Sequence, residues 1–238
     1  MGERVDMDML GRNVHIAWPS VDHSQPATCH VVFNIDGAER EITTGPLPTA
    51  RAILHQVPVI ERIEERYRLG DGTLHVGSKV EAAAGGQVLA RTAAGAWEGG
   101  AYSVYAFLSG PDVDNAAIVR LFSKLRIRET AEGVRVTVKP GHGGAVVEEP
   151  TIALEQPQLG LLEITPMTWQ RQRGLPRWRG TRARGGELFR DRLAGDVEYL
   201  RLANQTALTT VLPGNGRKFT GTELTNVVDG LQVEYDDG

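Results

Sequence analysis

Residues 101–129 read AYSVYAFLSGPDVDNAAIVRLFSKLRIRE, and this stretch decides the fold expected for the whole chain. Ala101–Leu108 is rich in aromatic and β-branched residues and predicts a strand, which Ser109-Gly110-Pro111 breaks. Ile118, Leu121, Phe122 and Leu125 then recur at the spacing of one helix face, with Asp112 or Asp114 available as cap. The helix runs directly into a strand at Arg126–Glu129. Glu132-Gly133 turns the chain, and the alternating Val134–Val138 follows as partner.

The C-terminal region repeats that order. A strand over Ala207–Leu212 leads to a helix over about 222–230, whose Leu224, Val227, Val228 and Leu231 match the earlier stripe at a constant offset of 106 residues. The strand Gln232–Tyr235 follows at once. The expected fold class is therefore α+β: mainly antiparallel sheet units, each flanked by one or two helices. An internal duplication of strand–loop–helix–strand over 101–129 and 207–235 is expected within it.

Outward from this stretch, residues 13–18 and 28–35 read as strands, and Asp36-Gly37 is a hairpin signal returning through Glu39–Thr43. Thr49 opens a helix near 49–68, alongside the one expected at 114–125. Strands follow at Thr73–Ala82 and Gln87–Thr92, set off by Gly85-Gly86 and by Gly95 to Gly100, and the Ala and Gly content of this region makes the second of them weak. Lys139-Pro140-Gly141-His142-Gly143-Gly144 resists regular structure. The expected organisation is an α+β unit over 1–140, a Gly/Pro-rich connection over 141–150, and a smaller α+β unit over 151–238. The second unit holds an Arg/Trp arm and the C-terminal helix–strand.

Several chemistries are set aside by the residues present. The single Cys29 excludes an internal disulfide framework and a multi-cysteine zinc site. Cys29 and His30, adjacent on a strand, point to opposite faces, so His15, His23, Cys29 and His30 do not make a convincing metal set. His142 reads as an incidental residue of a flexible connection. Walker, dinucleotide, nucleophile-elbow and His-Glu-x-x-His motifs are absent from the sequence. No cofactor and no metal are expected. The N-terminus is acidic and lacks an apolar signal run, and no stretch is apolar enough to span a bilayer. The expectation is a cytoplasmic protein without membrane insertion.

The charge is unevenly placed. The chain carries a net −4, with 22 Arg against 4 Lys, yet residues 168–192 alone carry +6 and the remainder −10. Within this region Trp169, Arg171, Arg173, Arg177, Trp178, Arg179, Arg182 and Arg184 alternate with Gly, Pro and small residues, which predicts an extended arm or hairpin. Arginine forks two hydrogen bonds toward carboxylate or phosphate, and tryptophan offers a stacking face. These residues are the expected binding site of a non-enzymatic structural or protein-interaction module, a subunit of a larger assembly that docks on a protein partner or on its own copy. The alternative is an enzyme or ligand-binding domain assembled from scattered residues, for which His15, His75, Tyr102 and Glu81 are candidates. A third reading is single-stranded nucleic-acid binding through the same arm.

Overall fold

Asp36 and Gly37 take the left-handed conformation, with φ of 52° and 81°, that a two-residue hairpin needs, and they fold Ala27–Ile35 back on Ala38–Pro46. The structure is a computed structural model that describes residues 2–19, 22–47, 65–82, 88–157, 159–193, 197–213, 219 and 221–236. In chain order its elements are β1 (Gly2–Met7), β2 (Asn13–Trp18), β3 (Ala27–Ile35), β4 (Ala38–Pro46), β5 (Glu65–Leu69), β6 (Gly72–Ala82), β7 (Val88–Glu98) and β8 (Tyr102–Gly110). Next come α1 (Asn115–Ser123), β9 (Leu125–Glu129), β10 (Val134–Val138), β11 (Gly143–Gln156), β12 (Gly160–Pro166) and α2 (Trp169–Arg173). The chain finishes with β13 (Thr181–Ala183), β14 (Gly186–Arg192), β15 (Glu198–Ala203), β16 (Ala207–Leu212), α3 (Gly221–Gly230) and β17 (Gln232–Tyr235).

The expected α+β class is overturned: among the described residues seventeen strands stand against three short helices, so the protein is mostly β. Twelve strands share one antiparallel sheet in the order β13-β14-β15-β16-β12-β11-β3-β4-β8-β7-β6-β5, beside the sheets β1-β2-β17 and β10-β9. Among the described residues the helices are too few to flank each sheet. The order strand–helix–strand does recur, as β8–α1–β9 and β16–α3–β17, but the pairing does not. β9 pairs with β10 alone, whereas β17 pairs with β2 in the three-stranded sheet.

Three local readings changed with it. Most of the helix expected near 49–68 lies outside the described residues, and Glu65–Leu69 at its end forms the edge strand β5. Its charged Glu65, Arg66 and Arg68 suit an exposed sheet edge as well as they suit a solvated helix face. Residues 143–150, expected within a connection, belong to the long strand β11. The weak strand at 87–92 is in fact β7, which continues through Ala93-Ala94-Gly95-Ala96. Those small residues let α1 approach: a Cβ on Gly95 would stand 2.4 Å from Ile118 Cγ2 and 2.9 Å from Phe122 Cε2. The apparent strand-breaker is a helix seat.

By compactness the chain forms two units, one of residues 1–29 with 149–238 and one of residues 30–148. In the second-named unit, Asp114 caps α1 by accepting the Ala117 N–H at 2.8 Å, and Ile118, Leu121 and Phe122 are buried beneath it. In the first, Val14, Ile16 and Trp18 of β2 alternate inward with Val233 and Tyr235 of β17. They share that unit's core with Leu162, Ile164, Leu200 and Val211.

Two polar joints complete this unit. Asp8, fully buried, accepts from the Leu10 and Arg12 N–H groups and from Arg12 Nε at 2.7 Å, closing the β1–β2 turn. Asn204 donates to the Gly185 and Val233 carbonyls at 3.1 and 2.7 Å and accepts from the Thr206 and Ala207 N–H groups. It thereby ties the β13–β14 turn, the β15–β16 turn and β17 to one another.

Candidate functional site

The Arg/Trp arm begins where β12 ends. Thr168 caps α2 by accepting the Arg171 N–H at 3.2 Å, and Gly174 ends the helix after one turn. Residues 175–180 then cross to β13, which pairs with β14 as the outermost strand of its sheet. The Glu187 carboxylate receives the Gly180 N–H at 2.6 Å and fixes the return. The turn between β13 and β14 requires glycine: Gly186 has φ of +142°, and a Cβ there would lie 2.2 Å from the Ala203 carbonyl oxygen. Both ends of the arm are therefore held, and what lies between them faces water.

The contrast among the four tryptophans is sharp. Trp18 and Trp97 are 2% and 3% exposed, whereas Trp169 and Trp178 are 67% and 62% exposed. Arg173 lays its guanidinium carbon 4.6 Å from the centre of the Trp169 ring. Arg171 is half-buried and donates to the Pro166 carbonyl at 3.1 Å. Arg173, Arg177, Arg179, Arg182 and Arg184 are exposed, and among the described residues none of them forms an ion pair. Arg184 borders a shallow groove of about 380 Å³ shared with Asn204, Thr206 and Glu234. The arm can thus offer two apolar ring faces and a set of guanidinium donors whose charge is not consumed locally.

The rest of the arginine-rich region behaves differently. Arg190 and Arg192 reach the buried Glu198 across β14–β15 at 3.2 and 3.5 Å. On the other face Tyr199 donates to Asp191 at 2.9 Å and receives a hydrogen bond from Arg201 at 2.6 Å. The Arg192 backbone N–H and the Tyr199 hydroxyl hold the Asp191 carboxyl below the usual carboxylate range. Reading the sequence alone missed this network, because its partners meet only through strand register. The alternation Glu-Tyr-Leu-Arg at 198–201 was the available signal.

The scattered enzymatic candidates do not converge. His15 lies on β2, with Asp236 at 2.8 Å and Glu3 at 3.6 Å. His75 and Glu81 share β6 but sit six residues apart along it, about 20 Å at the rise of a strand. His75 instead pairs with Glu98 at 3.1 Å, and Tyr102 donates to the Ala131 carbonyl at 3.3 Å. Burial pushes the Cys29 thiol up to about 12, so it is protonated at neutral pH and unsuited to nucleophilic attack. His142 is 3.2 Å from Asp36, whose carboxyl is lowered by the hydrogen bond from Lys124 and then by His142. Among the described residues no group of three or more His, Cys, Asp and Glu side chains could hold a metal ion, and no helix is long and apolar enough to cross a membrane.

The chain matches no known family, no curated protein and no solved structure.

Proposed function

We propose that this protein is an interaction module that docks onto an acidic protein surface through the arm at residues 168–184. The observation that carries the reading is the exposure of Trp169 and Trp178 beside exposed, unpaired arginines on a segment held at both ends. Large exposed indoles are costly to leave in water, and Trp and Arg are the residue types most often found as interface anchors. Anchoring at Glu187 and Gly186 lowers the ordering cost of binding, since the segment is already placed. A second copy of the chain is the first partner to test, because the sequence outside 168–192 carries −10.

Sedimentation equilibrium of the full chain over a wide concentration range tests this. Concentration-dependent association is expected, weakened by added salt and reduced roughly 30-fold or more by Trp178→Ala, as for a hot-spot residue contributing about 2 kcal/mol. Arg177→Glu should weaken it as well. A monomer at every concentration, alone and with an acidic protein present, would overturn the reading. Tight, steeply salt-dependent binding of a single-stranded oligonucleotide that is lost in Arg177→Glu would replace it with the nucleic-acid reading.

A further inference from the structure

A second basic surface lies on the β9–β10 hairpin, in the unit of residues 30–148, and has no part in the arm. The register sets Arg128 directly opposite Arg135 and Arg126 opposite Thr137, so all four side chains share one face of the ribbon. The other face carries Leu125, Val134 and Val136, all buried. Arg126, Arg128 and Arg135 are exposed, and together with Thr137 they line a groove of about 220 Å³.

Like charges placed directly across a strand pair repel, and a ribbon that needed only a solvated face would relieve this with an acid. Here the acids are turned away. Glu129, the acidic residue of β9, points to the opposite face, where it accepts the Gly100 and Ala101 N–H groups at 2.8 and 2.7 Å. Glu132 in the connecting turn is exposed and makes no ion pair with the three arginines among the described residues.

We infer that this groove is an anion site that takes the phosphate or pyrophosphate group of a small ligand. Three planar guanidinium forks supply donors only, and the Thr137 hydroxyl can donate one more, which matches an oxyanion rich in acceptor oxygens. The volume falls short of the several hundred Å³ typical of organic-ligand pockets, so the site suits a charged group rather than a whole hydrophobic ligand. A bound dianion would also remove the Arg128–Arg135 repulsion, so binding should stabilise the hairpin.

Thermal unfolding of the full chain in inorganic pyrophosphate, against sodium chloride at matched ionic strength, tests the inference. A saturable rise in melting temperature is expected with pyrophosphate and not with chloride. The double variant R128Q/R135Q should lose that rise while melting, without ligand, at or above the wild-type temperature. Arg177→Gln in the arm should keep the rise, which separates this site from the docking surface. Phosphorus NMR of pyrophosphate provides a second readout should the double variant melt low: the wild type should broaden the signal and Arg126→Gln should broaden it less. No rise beyond the chloride control, or a rise that survives R128Q/R135Q, would overturn the site. Binding of a single-stranded oligonucleotide with no response to pyrophosphate would overturn the small-ligand assignment.

Discussion

Arg190 and Arg192 on β14 and Arg177 and Arg179 in the arm belong to one arginine-rich stretch, yet they end in different states. The first two reach across the sheet to the buried Glu198 at 3.2 and 3.5 Å. The second two are exposed and make no ion pair among the described residues. Their neighbours differ likewise: Phe189 is 3% exposed and Trp178 is 62% exposed. Strand pairing explains the difference. On β14 the register brings Glu198 and Tyr199 of β15 opposite Arg192 and Asp191, so opposite charge is supplied at fixed positions. Residues 175–180 have no paired strand, and the same residue types remain available to another molecule.

Substitutions on β14 and in the arm should differ accordingly in their cost. The largest effect is expected at Phe189→Ala, which empties a well-packed position on β14 and should cost about 3–5 kcal/mol in chemical denaturation. A loss under about 1 kcal/mol would mean that β14 is not the firm scaffold described. Next comes Glu198→Ala. Its arginine partners are more than half exposed and can return to water, so the loss is about 1–2 kcal/mol rather than the larger cost of a stranded buried charge.

A smaller, pH-dependent effect is expected at Asp191. Its carboxyl is lowered in the folded state, first by the Arg192 N–H and then by the Tyr199 hydroxyl. The stability it adds is therefore present above the ordinary carboxylate range and is lost as pH falls through the lower folded value. Asp191→Asn should flatten the decline of the unfolding midpoint below about pH 4, and an unchanged slope would mean that the network carries no linkage. Smallest of all, Arg179→Ala in the arm should shift stability by less than about 0.5 kcal/mol, as expected for a surface position without fixed partners.

Local signals in the sequence were legible and long-range ones were not. Asp36-Gly37 and the α1 stripe of Ile118, Leu121 and Phe122 were readable because each is decided within a few residues. The Asp114 cap followed for the same reason. The fold class was misread where a residue's role depends on a distant neighbour. Gln87–Thr92 looks like a weak strand cut short before Gly95 until α1 is seen lying against that glycine within β7. Gly143-Gly144 and Glu148-Glu149-Pro150 look like a connection, yet they belong to β11, which lies beside β3 and pairs with β12 only at Ile152–Gln156. At the candidate site, the exposed Trp/Arg composition was visible in the sequence, whereas the anchors Glu187, Gly186 and Asn204 were not. Their purpose appears only once β13, β14 and β17 are brought together.

On the reading proposed above, the two exposed indoles of the arm meet a partner. Tryptophan emission followed over protein concentration tests it most directly, because Trp18 and Trp97 are already buried and supply a constant background. Emission should shift to the blue as the protein associates with itself or with an added acidic protein, and Trp178→Ala should remove most of the shift. Association with emission unchanged would place the contact elsewhere on the molecule and contradict the account.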